Sequence, residues 1–223
     1  MAASASGCEA PPMTRWLLAL HSSTPDLGVA VLDADQPSDT RRHLVLSCGR
    51  RLTNDLIPAV QLLLPSSQWS SITRLAVATG PGGFTGTRLT VVMARTLAQQ
   101  LQVPLDGVSS FALMAPRLAR DAAAGVDGFD PEQPFWIVQD LPRRGRVGGC
   151  YRCNPAELGA VELEAPRLLA ADAQPRPALP MATDVATDVL HLLDLCDQAD
   201  QQRRPAAWSE VLPLYPTSPV GVV

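Results

Sequence analysis

The chain contains no lysine, so every basic side chain apart from histidine is an arginine. That excludes a P-loop, whose G-x-x-x-x-G-K-[ST] motif needs an amine against the β- and γ-phosphates. Histidine is scarce: His21, His43 and His191 show neither H-E-x-x-H nor any other paired spacing, so no metal site is expected from them. The five cysteines are odd in number and scattered, which argues against a disulfide scaffold and suits a reducing compartment. Cys150 and Cys153 form a single C-x-x-C that lacks two further ligands and reads as neighbouring positions on a strand. No apolar run approaches the roughly 18 residues of a membrane span. The expectation is a cytoplasmic protein without membrane contact.

Charge is also sparse. Charged residues make up 18% of the 223, the net charge is −4 and the pI is near 5.3. An acidic chain does not bind a polyanion such as tRNA by itself, so any tRNA contact is expected to be indirect. Arg143-Arg144-Gly145-Arg146 is the one dense basic cluster and reads as a solvated loop. A hydrophobic fraction of 46% at this length suits one large domain or two small lobes. Residues 1–13 are rich in Ala, Ser and Pro and read as a disordered tail, not a signal peptide.

What is present is glycine, concentrated at one corner. An apolar strand pattern at Leu75–Thr79 runs into Gly80-Pro81-Gly82-Gly83-Phe84-Thr85-Gly86, and a long helical pattern follows to Gln102. Glycines at such a junction imply a positive φ or close backbone approach. Amides at the following helix N-terminus could also hold an anion, so Gly80, Gly82, Gly83, Thr85 and Gly86 read either as a packing corner or as a weak anion site. The spacing does not fit the dinucleotide fingerprint G-x-G-x-x-G.

Upstream, Trp16–Leu20, Gly28–Asp33 and Leu44–Cys48 predict three strands, antiparallel because their connections are short. A helix is predicted over Thr53–Leu64, with Leu52, Leu56, Ala59, Val60 and Leu63 on one face and Pro58 near its first turn. Downstream come a strand at Leu105–Ser109 and a helix at Phe111–Ala124. A Gly/Asp/Pro-rich stretch from Gly125 to Pro134 marks the start of a second lobe. Short strands are predicted at Phe135–Gln139, Val147–Arg152 and Ala160–Leu163, and a helix from Asp184 to Cys196 with Thr183 as its N-cap. The organisation read from this is a tail (1–13), an N-terminal lobe (14–124), a reduced second lobe (125–182), and a C-terminal helix and tail (183–223) packing back on the lobes.

The helix after the glycine loop is apolar over more than half its circumference. Leu89, Val92, Met93, Leu97 and Leu101 spread over one side, and Thr87, Val91, Ala94 and Ala98 form a stripe of small residues beside it. One sheet surface cannot cover both. The small stripe therefore meets either the Thr53–Leu64 helix or another molecule.

The string Gly80-Pro81-Gly82-Gly83-Phe84-Thr85-Gly86-Thr87-Arg88 resembles the GPGSFTGLR signature of the TsaB (YeaZ) family, which acts in the synthesis of N6-threonylcarbamoyladenosine at position 37 of tRNA. Leu17-Leu18-Ala19-Leu20-His21-Ser22-Ser23-Thr24 is similar to the family's opening LAxDTST, Leu56-Ile57-Pro58-Ala59-Val60 to its LLPAI, and Val103-Pro104-Leu105-Asp106-Gly107-Val108-Ser109-Ser110 to its IPLxGVSSL. These segments keep order and spacing over residues 16–115, while Asp140–Tyr151 is only faintly like DARRGEVY. The resemblance implies an α/β, actin-like ATPase (RNase H-like) fold with a mixed sheet, helices and a reduced second lobe. It also implies a non-catalytic partner subunit of the transferase TsaD, without cofactor, joined in the full complex by a TsaE-like ATPase. TsaB proteins pair with themselves or with TsaD through first-lobe helices. By resemblance, Thr87, Val91, Ala94 and Ala98, with Leu56 and Val60, become the expected partner interface, in a heterodimer or a homodimer.

Two residues depart from the pattern. His21 stands where the family and its ATPase relatives carry Asp, and Leu52 where many members carry His. Neutral imidazole is a poor ligand for Mg²⁺, which disfavours the alternative of an independent ATP-dependent phosphotransferase. TsaD binds metal through a helical His-x-x-x-His pair, absent here. A metallopeptidase ranks lowest for the same want of paired histidines.

Overall fold

The computed structural model describes residues 14–36 and 40–216. The expected tail at 1–13 lies outside them. Three antiparallel strands open the chain: β1 (Trp16–His21), β2 (Asp26–Asp33) and β3 (Arg42–Ser47). Helix α1 (Leu52–Leu63) leads to β4 (Ile72–Ala78), which pairs with β1 in parallel. After the glycine loop, α2 (Phe84–Leu101) crosses over to β5 (Leu105–Val108), parallel to β4. The first sheet therefore has the order β3-β2-β1-β4-β5.

Both faces of this sheet are covered, which explains the unbroken apolar run Leu17–Leu20, fully buried at every position. Leu18, Leu20, Val29, Leu75 and Val77 point toward α1 and α2. Leu17, Ala19, Ala30, Ala76 and Ala78 point toward α4 (Val185–Gln201), which seats Val189, Leu192, Leu193 and Cys196 on them. The alanines on that side let α4 lie close. At Gly28 a methyl group would come within 2.8 Å of the Val185 side chain.

The second sheet, β8-β7-β6-β9, comprises β6 (Phe135–Leu141), β7 (Gly145–Cys153), β8 (Ala160–Leu168) and β9 (Ala178–Pro180). Helix α3 (Ser110–Gly125) buries Phe111, Met114, Ala115 and Ala119 against Phe135, Ile137, Val147 and Tyr151. So α3, expected within the first lobe, gives most of its apolar face to the second. With four strands and one main helix this lobe is the smaller, and the whole is the mixed α/β, actin-like (RNase H-like) architecture.

Several local expectations need correction. Pro58 falls well inside α1, not in its first turn; its side is exposed, so the missing donor faces solvent. The N-cap of α4 is Asp184, whose carboxylate accepts from the Thr187 amide at 3.1 Å, rather than Thr183. The small stripe on α2 does not form an outer surface. Thr87, Val91, Ala94 and Ala98 are at most 2% exposed, and Leu56 and Val60 are buried too. Small residues let α2 approach its own sheet beside α1. The longer Leu89, Met93, Leu97 and Leu101 reach round the flanks into the same core, while Val92 stays half exposed. Close packing thus sets the smallest side chains of α2, not its bulkiest, deepest in the core.

Candidate functional site

A cleft of about 540 Å³ lies between the lobes. Its first-lobe wall is the end of β1, the Ser23-Thr24-Pro25 turn and the glycine loop; Ser110 and Met114 of α3, Gln139 and Val147 of the second sheet, and Asp188 of α4 face them. Sequence reasoning had singled out the loop and His21 but not Ser110 or Asp188. Ser110 ends the V-S-S string and was within reach. Asp188 sits among apolar residues of α4, where nothing in the pattern distinguishes it from an ordinary surface carboxylate.

The glycines hold the loop against β1 in different ways. Gly80 has φ +101°, a conformation open to glycine, and its carbonyl accepts from the Ser110 amide at 2.6 Å. Neither Gly82 nor Gly86 has a positive φ; both are small because backbone passes beside them. An added Cβ at Gly82 would collide with the Ser23 carbonyl, and one at Gly86 would stand 2.9 Å from the Ser22 carbonyl oxygen. The Gly83 amide donates to the Ser23 carbonyl at 3.1 Å, and Ser22 Oγ lies 2.6 Å from Thr90 Oγ1 on α2. Gly83 and Thr85 are exposed, and Gly83 has open space around its α-carbon. Past α4, the chain returns to this corner: the Leu214 amide donates to the Thr79 carbonyl at 2.7 Å, and Tyr215 packs on Phe84 with ring centroids 4.7 Å apart.

His21 ends β1 and is 1% exposed. The Ser23 amide donates to its Nδ1 at 3.3 Å, so the ring's single proton belongs on Nε2. Burial lowers its pKa to about 4, leaving it neutral at pH 7. Among the described residues, His21 Nε2, Ser23 Oγ and Ser110 Oγ have no hydrogen-bond partner. The polar groups that these three side chains bring to the wall are uncharged. The cleft's one lining carboxylate, Asp188, is buried and bound by Arg117 Nη2 at 3.1 Å. Burial raises its pKa more strongly than Arg117 lowers it.

This chemistry does not fit a Mg²⁺-nucleotide. The position at the end of β1 offers a neutral imidazole instead of a hard anionic oxygen, and the Gly83 amide is already committed to Ser23. Among the described residues no group of three or more His, Cys, Asp or Glu is arranged to hold a metal ion, and no helix is long and apolar enough to cross a membrane. Cys150 and Cys153 both lie on β7 and are buried. Arg143, with φ +63°, and Arg144 form the turn between β6 and β7, while Arg146 is paired with Asp140 at 2.7 Å.

Residues 47–128 match the family model described as TsaD: tRNA N6-adenosine threonylcarbamoyltransferase. Over 101 residues the chain is 32% identical to the Bacillus subtilis (strain 168) tRNA threonylcarbamoyladenosine biosynthesis protein TsaB, covering 44% of this chain and 43% of that one. It is 35% identical over 101 residues to the Escherichia coli (strain K12) protein of the same name, covering 44% and 42%. The matched stretch thus spans less than half the length of these curated relatives. Two solved structures share the fold over nearly all of it. One is an uncharacterized Pseudomonas aeruginosa protein described as similar to peptidase YEAZ, with TM-score 0.66, 24% identity, and coverage of 91% of this chain and 100% of that one. The other is YeaZ from Pseudomonas aeruginosa, with TM-score 0.64, 22% identity, and coverage of 90% and 100%.

Proposed function

We propose that this chain belongs to the TsaB (YeaZ) family and serves tRNA threonylcarbamoyladenosine synthesis as a non-catalytic partner of a TsaD-like transferase, a reading that these partial matches support. The observation that carries the reading is His21. Where an actin-like ATPase needs an acidic residue to hold a phosphate-bound metal, a buried neutral imidazole closes β1. The protein keeps the cleft's architecture without the charge that its chemistry would need. The subunit works in the cytoplasm, contacts tRNA through the complex, and shares that complex with a TsaE-like ATPase.

The docking surface consistent with the packing is the outer side of α1 and α2, not the buried stripe. Ile57 and Leu62 on α1 and Val92 on α2 are 50%, 73% and 50% exposed. Large apolar groups held open on adjacent helices suit a helix–helix contact with the partner or with a second copy. The decisive experiment is co-expression with the TsaD-like protein of the same organism. Co-purification, with threonylcarbamoyl transfer to tRNA that depends on both chains, is the expected result. A chain that purifies alone and turns over ATP in a Thr24- or Gly82-dependent manner would overturn it.

A further inference from the structure

A second pocket, of about 490 Å³, lies between α3, α4 and the turn from β7 to β8. Its walls are largely apolar. Pro116 on α3, Pro131 before β6 and Pro155 after β7 line it together with Leu113 and Leu158. Cationic donors stand among them. The Arg117 guanidinium is fixed through Nη2, which donates to Asp188 Oδ1 at 3.1 Å and to the Ala182 carbonyl at 2.8 Å. Its Nε–H is buried and finds no acceptor among the described residues, nor does His191 Nε2. An unsatisfied buried donor is costly to keep unless something occasionally satisfies it. Arg120 is exposed at the pocket wall and enters no ion pair or hydrogen bond within the described residues. Burial and the nearby Arg120 both lower the pKa of His191, so it contributes a neutral ring.

We propose that this pocket binds a small organic monocarboxylate with an apolar body, its carboxylate at Arg120 beside Arg117 and its body against the three prolines. The charge balance favours a monoanion over a phosphate. Asp188 already offsets Arg117, and Glu157 in the lining opposes a second negative charge, leaving Arg120 as the lining cation without a partner among the described residues. A mostly apolar cavity with a few convergent polar groups is the usual form of a small-molecule site. The pocket shares Asp188 with the cleft, whose walls are otherwise formed by different residues.

The test uses 4-phenylbutyrate and its neutral counterpart 4-phenylbutanamide as probes, titrated against the full chain by saturation-transfer NMR. The carboxylate should bind saturably and about tenfold more tightly than the amide, since a charge-assisted hydrogen bond is lost in the latter. Arg120→Gln should erase that difference. Ala123→Trp, at an exposed position lining the pocket, should abolish binding of both probes while leaving the melting temperature near the parent's. Equal affinities for acid and amide, no saturable binding, or a preference that survives Arg120→Gln would each overturn the proposal. So would undiminished binding to folded Ala123→Trp protein. If that variant fails to fold, the Arg120→Gln comparison decides alone.

Discussion

The α-carbon of Gly82 rests against the carbonyl of Ser23, so closely that a methyl group at Gly82 would overlap the oxygen. One residue later a methyl group at Gly83 would meet nothing within 4 Å, although the Gly83 amide donates to the same carbonyl. Two adjacent glycines thus carry different constraints. Gly82→Ala should destabilise the protein by about 1–3 kcal/mol through overpacking, while Gly83→Ala should change little. Thermal melts of the two variants against the parent check this. Equal losses would show that the loop senses something other than its contact with Ser23.

His21 should make stability depend on pH. Its folded pKa of about 4 lies below the ordinary value of 6.5, so the unfolded state binds the proton more readily. Stability from the neutral ring is complete above about pH 6.5 and is lost as pH falls toward 4, to a total on the order of 3 kcal/mol. Urea denaturation at pH 7.5, 6 and 5 should show this decline in the parent and a flatter profile in His21→Gln. Parallel profiles would remove His21 as the cause.

Much of the first lobe could be read from the sequence because its elements are long, regular and bounded by turn residues. The run Leu17–Leu20 and the spacing of Leu52, Leu56 and Val60 fixed a strand and a helix face without reference to anything distant. The second lobe was harder. Three-residue β9 (Ala178–Pro180) leaves no periodicity to detect, and β8 runs through Pro166, which discourages a strand assignment. The cleft was only half legible. The glycine loop announces itself and Ser110 follows from the V-S-S string, but Asp188 joins them through the return of α4, a tertiary event that no local spacing encodes. Pattern alone leaves the faces of α2 open between two coverings for a related reason. Both of its stripes are apolar, and which one meets the sheet depends on how closely α1 and β4 allow the helix to approach.

Arg74 and Asp106 form a buried pair across β4 and β5. Arg74 Nε donates to Oδ2 at 2.6 Å and Nη2 to Oδ1 at 3.0 Å, with side chains 2% and 9% exposed. Arg74 Nη1 also donates to the Arg204 carbonyl at 2.8 Å, joining the segment after α4 to the sheet. Asp106→Ala strands a buried guanidinium and should cost about 3–5 kcal/mol. The double variant Arg74→Met/Asp106→Leu removes both charges and should cost much less. Chemical denaturation of the three proteins measures the difference; a double variant as unstable as the single one would show that the pair contributes by shape, not by mutual neutralisation.

The two faces of α2 make opposite predictions. Ala94 is fully buried between α2 and the first sheet, so Ala94→Arg would force an unpaired charge into the core, and the folded monomer should be lost. Val92, on the opposite side of the helix and 50% exposed, can carry an arginine without touching that core. Val92→Arg should therefore melt within about 0.5 kcal/mol of the parent, as surface substitutions usually do. If the outer side of α1 and α2 docks on a TsaD-like partner, the same variant should bind it at least about tenfold more weakly, because a long hydrated side chain would have to be desolvated at the contact. Melting and affinity measured on one Val92→Arg preparation separate folding from docking. A folded Val92→Arg protein, joined by a folded Ile57→Arg protein, that both bind the partner like the parent would exclude this surface. The helices' exposed apolar groups would then need another explanation.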